Sequence, residues 1–131
     1  MIVLDASAVV ELLLDTVTGR KVAILIEDAA IGLHAPHLLD VEVVSALRRL
    51  VRDGSLDDEE AQAAIGDLMA LDLQRHSQEA LLERAWDLRA NVTIYDAAYV
   101  ALAEALDATL LTCDSKLARA PSTKMRVELI K

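Results

Sequence analysis

Met1-Ile2-Val3-Leu4-Asp5-Ala6-Ser7 is the stretch on which the reading of this chain turns. Three consecutive apolar residues run into an aspartate, and an amphipathic stretch, Ala8 to Leu14, follows at once. A short unbroken apolar run reads as a strand buried on both faces, as in a parallel sheet. A helix straight after it puts Asp5 at the strand's C-terminal end, where open α/β sheets build their sites. Asp5 or Ser7 as a simple helix cap is the competing reading. Taken alone, the residue leaves the two level.

Outward from that stretch, composition narrows the class. A length of 131 residues predicts one domain spanning 1–131. Hydrophobic residues make up 54%, which argues against disorder. Phe is absent and there is one Trp, so the core has to be built from Val, Ile, Leu and Ala. No apolar run approaches the length of a bilayer span, and no basic n-region or cleavage pattern predicts a signal peptide. A lone cysteine, Cys113, cannot close an internal disulfide, which fits a reducing, cytoplasmic setting. The net charge of −9 argues against a polyphosphate partner on its face. It has two other readings, a solubilising surface and carboxylates gathered around divalent cations. The positions of the acids separate them.

The remaining elements alternate. Thr18 is positioned to cap a helix over Gly19–Ala29, with Val22, Ile24, Leu25 and Ile26 inward. Gly32–Ala35 is a short strand that Pro36 stops. A helix runs from Asp40 to Arg52, with Val43, Leu47 and Leu50 inward, and Gly54 closes it. Ser55 and Asp58 resemble a capping box for a helix reaching Leu71, striped by Ile65, Leu68 and Met69. Asp72–His76 is a weak edge strand, and Ser77 caps a helix through Arg89. Asn91–Tyr95 leads into a helix over Ile94–Leu106. Ala108–Thr112 is the second buried strand, and a short helix to Ala120 follows, broken by Pro121. Met125–Ile130 is the last strand. Strands alternating with helices predict an α/β fold with a mostly parallel central sheet.

Four carboxylates occupy equivalent places in this scheme. Asp5 and Asp114 end strands; Glu42 and Asp96 lie in first helical turns. Each has an ordinary capping or helix-dipole role available. Together they fall along one edge of a parallel sheet, where strand ends and helix starts converge. Four converging carboxylates repel unless protons or cations neutralise them. Oxygen-only ligands suit Mg²⁺ or Mn²⁺. His34, His37 and His76 show no ligand spacing and read as surface histidines. Arg49 shares a helix face with Glu42 and Ser45 and is a candidate phosphate contact, as is Lys116 beside Asp114.

The segments Ile2–Ala8, Asp40–Leu47, Tyr95–Ala103 and Leu110–Asp114 resemble the PIN-domain family, and most of all its VapC toxins. The resemblance covers essentially the whole chain. It implies a PIN-like three-layer fold and an endoribonuclease dependent on Mg²⁺ or Mn²⁺, cutting by in-line attack of metal-activated water. It also implies 5′-phosphate and 3′-hydroxyl ends, inhibition by a VapB-type antitoxin, a homodimer and a toxin–antitoxin hetero-oligomer. The family's acidic quartet falls on Asp5, Glu42, Asp96 and Asp114, all four as catalytic residues and metal ligands. Its supporting hydroxyls fall on Ser7 and Thr112. Two other readings remain, a receiver-like phospho-acceptor domain and a non-catalytic PIN binding module. A receiver needs paired acids at the end of the first strand, yet Leu4 and Ala6 flank Asp5. The hairpin of Asp40–Arg52 and Ser55–Leu71 has apolar residues to spare, including Val41, Val44, Leu56 and Met69, and is expected to form a groove for an antitoxin helix.

Overall fold

The structure, a computed structural model, describes residues 1–119 and 125–131. Five strands form one sheet: β1 (Ile2–Leu4), β2 (Leu33–Pro36), β3 (Gln74–His76), β4 (Thr109–Thr112) and β5 (Arg126–Leu129). Their order is β3-β2-β1-β4-β5, and every neighbouring pair is parallel. β1 is therefore central. Val3 and Leu4 are fully buried, as a strand covered on both faces requires. The direction of the strand order reverses at β1, and a crevice opens outside the C-terminal ends of β1 and β4. A receiver domain has the order 2-1-3-4-5, so this topology excludes that alternative.

Seven α-helices flank the sheet among the described residues: α1 (Ala6–Leu13), α2 (Val17–Ile26), α3 (Leu38–Arg52), α4 (Asp58–Ala70), α5 (Leu82–Asp87), α6 (Ile94–Leu106) and α7 (Ser115–Ala118). α6 packs on β1, β2 and β4, and its residues from Ala97 to Ala103 are all buried. Small Ala side chains let it lie close to the sheet. Tyr99 is the one buried aromatic among the described residues; Trp86 stands exposed.

Several expectations shift, each for a local reason. Thr16, not Thr18, caps α2, its hydroxyl accepting from the Gly19 N–H at 2.9 Å. Gly19 then abuts α1 so closely that a Cβ would lie 1.9 Å from the Glu11 carbonyl oxygen. Ile24 is exposed rather than inward. Pro36 is the last residue of β2 rather than its stop; β1 pairs only with Leu33 and His34, so no ladder bond needs its missing N–H. The capping box of α4 is Asp57 with Glu60, two residues beyond the Ser55–Asp58 pair. That box satisfies both reciprocal bonds, which Ser with Asp cannot match as well. α4 buries Ala61, Ala64 and Leu68, leaving Met69 exposed, while Leu56 belongs to the core. The helix expected over 77–89 begins as a 3₁₀ turn, Glu79–Leu81, and is α-helical only through Asp87. Gly54 does close α3, with φ of +82°. Ala120 and Pro121 lie outside the described residues.

The histidine expectation fails for His34, which is buried on β2. Its Nδ1 lies 2.9 Å from His76 Nε2 on β3, a hydrogen bond between neighbouring strands. Burial, with His76 nearby, holds the His34 pKa below its ordinary value. His37 is exposed as expected.

Candidate active site

A cleft of roughly 870 Å³ opens at the crevice, and Asp5, Glu42, Asp96 and Asp114 all line it. Four elements deliver them. Asp5 follows β1 and caps α1, Glu42 lies in α3, Asp96 in the first turn of α6, and Asp114 follows β4 and caps α7. Capping and a place in the cleft coexist: the strand-to-helix turn that calls for an N-cap carboxylate also aims it into the crevice.

Asp5 is the anchor. It is 4% exposed, yet its carboxylate is well satisfied. Oδ1 accepts from the Ser7 hydroxyl at 2.7 Å and the Ala8 N–H at 3.0 Å, and Oδ2 accepts from the Thr112 hydroxyl at 2.6 Å. Each hydroxyl is aimed by a backbone donor behind it. Cys113 N–H donates to Ser7 Oγ and Asp114 N–H donates to Thr112 Oγ1, both at 2.9 Å. The network thus ties the end of β1 to the end of β4. Burial pushes the Asp5 pKa up, against these hydrogen bonds, and Asp114 adds to the rise.

Glu42 takes a partner that sequence reasoning missed. The buried Tyr99 hydroxyl donates to Glu42 Oε1 at 2.7 Å, joining α6 to α3. Tyr99 was visible as the residue one turn after Asp96, but nothing in spacing alone distinguishes it from a core aromatic. Burial raises the Glu42 pKa, the tyrosine bond opposes the rise, and Asp96 and Asp5 add to it. Burial and the Glu42 carboxylate push the Tyr99 hydroxyl far above its ordinary range, so it stays a donor. Asp96 is raised too, first by burial and then by Asp114 and Asp5. Its own N–H donates to the capping Thr93 hydroxyl at 3.1 Å. The start of α3 is held by Arg75, which donates two bonds to Asp40, at 2.7 and 3.0 Å, and one to the Leu68 carbonyl.

Of the cations singled out from sequence, Arg49 lines the cleft and Lys116 does not. Lys116 contributes a backbone N–H to Asp114 at 2.8 Å, and its side chain is exposed. Cys113 also lines the cleft, with its thiol pushed up to about 11 by burial and by Asp5 and Glu11. A thiol held protonated is a poor nucleophile.

As arranged, no three His, Cys, Asp or Glu side chains among the described residues stand close enough to hold a metal ion. Three of the four acids nevertheless raise one another's pKa values or are raised by a fourth, so they share one electrostatic field. An all-oxygen donor set in a hydrated cleft, self-repelling at neutral pH, fits a hard divalent cation.

Similarity to known proteins assigns the family. Residues 2–122 match the PIN domain family. The chain is 40% identical over 130 residues to "Ribonuclease VapC12" of Mycobacterium tuberculosis, covering 99% of both chains. It is 45% identical over 133 residues to "Ribonuclease VapC1" of the same organism, covering 98% of this chain and 97% of the relative. Among solved structures, VapBC2 from Rickettsia felis bound to a promoter DNA fragment superposes with a TM-score of 0.71 at 18% identity, each chain fully covered. Mycobacterium tuberculosis VapC20, described as a Sarcin-Ricin loop cleaving toxin, gives 0.68 at 15% identity, over 96% of this chain and 99% of that one. The match over residues 2–122 and the full-length identity to VapC ribonucleases show that the chain belongs to the PIN-domain family, in its VapC branch.

Proposed function

We propose that the chain is a metal-dependent endoribonuclease, the toxin of a VapBC-type toxin–antitoxin pair. The observation that carries this reading is the convergence of Asp5, Glu42, Asp96 and Asp114 on one cleft. Asp5 and Asp96 would hold Mg²⁺ or Mn²⁺, and Glu42 and Asp114 would complete the oxygen set directly or through water. When bound, such an ion neutralises phosphate charge and makes a water acidic enough to attack near neutral pH. The protein's part is positional. Ser7 and Thr112 hold both Asp5 oxygens, and Tyr99 holds Glu42, so the acceptors that face the cleft are fixed before anything binds. Among the described residues no histidine lines the cleft, so proton removal falls to water and the carboxylates.

Purified protein incubated with RNA is expected to cleave it with added Mg²⁺ or Mn²⁺ and to stop in EDTA. Full activity in excess EDTA would overturn the metal reading. No cleavage under any condition would favour a non-catalytic binding module.

Partners follow from the same reading. VapBC2 of Rickettsia felis is a toxin–antitoxin assembly by its name, which supports a VapB-type antitoxin and a hetero-oligomer here. Val41 and Val44 on α3 and Met69 on α4 are exposed, and they offer apolar surface to an antitoxin helix or a second copy. Leu56 is buried and is no probe of that surface. Val41→Asp with Met69→Asp is expected to weaken antitoxin capture or dimerisation at an unchanged melting temperature. Unaltered assembly would place the interface elsewhere.

A further inference from the structure

We propose that RNA crosses the cleft with one base stacked on the Tyr95 ring and a phosphate flanking the reacting one held by Arg49; this rests on the ribonuclease reading above. The chain carries −9, and the cleft has Glu11 and Asp53 beside its four central acids. A polyphosphate is repelled from such a surface unless cations meet it. Arg49 is the one Lys or Arg among the described lining residues. Its side chain makes no ion pair or hydrogen bond among the described residues, whereas Arg75 and Arg84 are committed to Asp40 and Glu104. A guanidinium left free beside six carboxylates is available for a phosphate, which it meets in a forked geometry. Arg49 lies two helical turns beyond Glu42, about 10 Å along α3. That offset assigns it to a neighbouring phosphate rather than the reacting one. Arg48 and Arg52 are exposed on the same last turns of α3 but do not line the cleft.

Tyr95 answers Arg49 from another wall. It lines the cleft on α6, immediately before Asp96, and is 65% exposed. Its hydroxyl has no partner among the described residues, unlike that of Tyr99 one turn later. The Thr93 cap fixes the backbone beneath it. The Tyr99–Glu42 bond ties α6 to α3, so the ring and the guanidinium flank the acids from two tied walls. An exposed ring beside a nuclease cleft is a stacking plate for an unpaired base, and any base can use it. The other exposed aromatic, Trp86, is covered by Arg89 at 4.3 Å and does not line the cleft.

The test is binding of a short fluorescein-labelled RNA pool of randomised sequence, by anisotropy in EDTA across a salt series, with cleavage of the same pool in Mg²⁺. Tyr95→Ala is expected to raise Kd roughly 5- to 100-fold, while Tyr95→Phe stays near wild type. Arg49→Gln is expected to flatten the dependence of log K on log salt by about 0.7, and Arg49→Lys to preserve it. Melting temperatures of the two Tyr95 variants and of Arg49→Lys should match the wild type, since both side chains are exposed and their charge is kept. Wild-type binding and cleavage that are indifferent to Tyr95→Ala and Arg49→Gln overturn the assignment alone. A wild type that neither binds nor cleaves the pool overturns the ribonuclease reading and the assignment with it.

Discussion

At the scale of single residues, the acids trade stability for chemistry. Asp96 sits among Asp114 and Asp5, and its carboxylate is raised by them and by burial. Asp96→Asn keeps the backbone bond to Thr93 but removes one charge. Its melting temperature without metal is expected to rise, by a few tenths to about 2 kcal/mol of relieved repulsion, while cleavage is lost. A helix-dipole role alone predicts the opposite sign, a loss of about 0.3–1 kcal/mol. Melting curves in EDTA distinguish the two, and added Mg²⁺ should stabilise the wild type more than the mutant. Thr112→Val tests the support beneath Asp5. It strips a hydrogen bond from a buried carboxylate and leaves the Asp114 N–H without its acceptor. A loss of about 1.5–3 kcal/mol by denaturant titration is expected, and a near-neutral result would show that water replaces the hydroxyl. The quartet was legible in the sequence because strand ends and helix starts are legible, although α3 begins at Leu38 rather than Asp40 and so puts Glu42 in its second turn, not its first. The Tyr99–Glu42 bond was not legible, since it joins positions 57 residues apart on two different helices.

At the scale of elements, the strands and long helices were readable from apolar runs and period, and so were the Asp5 and Asp114 caps and the Gly54 stop, whereas the caps of α2 and α4 were not. Thr16 and Thr18, or Ser55 and Asp57, differ by two residues and offer the same chemistry. What chooses between them is where the preceding chain leaves the core. Leu56 illustrates this: by burying itself it places Asp57, not Ser55, at the start of α4. His34 was misread for a related reason, because its partner His76 comes from the far neighbour in the sheet order. The close contact of α1 and α2 gives a sharp test. Gly19→Ala gains helix propensity of roughly 1 kcal/mol but drives a methyl into the Glu11 carbonyl. The backbone there cannot rotate away, so α2 must shift at a cost of about 1–3 kcal/mol of overpacking. Thermal unfolding should show a net loss of stability, and cleavage should fall too, because α1 carries Ser7. An unchanged melting temperature would mean that the two helices slide apart freely.

At the scale of the molecule, the shared field of the acids sets a pH dependence. Asp5 and Asp96 are raised from 3.8 and Glu42 from 4.5. The folded state therefore holds protons that the unfolded chain has released. The stability they contribute is fully present below the ordinary values and is lost as pH rises through the raised ones. In EDTA, the wild type should lose stability relative to Asp96→Asn as pH climbs from about 4 towards neutrality. Differential melting across that range checks the sign; parallel curves would mean that the cleft acids do not feel one another. Mg²⁺ should reverse the trend near neutral pH, where the ligands are free of protons.

The central place of β1 has a consequence for how this protein is made. The first strand pairs early with β2 but late with β4: Asp5 meets the Thr112 hydroxyl across 107 positions, so β4 must be synthesised before the Asp5 network is in place. A chain still growing on the ribosome, or one cut short before β4, holds Asp5 and Glu42 without Thr112 or Asp114. Parallel pairing of this kind is slow to nucleate because distant segments must first be brought together. Because Asp5 and Glu42 precede Asp114 in the chain, the cleft is complete only once β4 has joined the sheet.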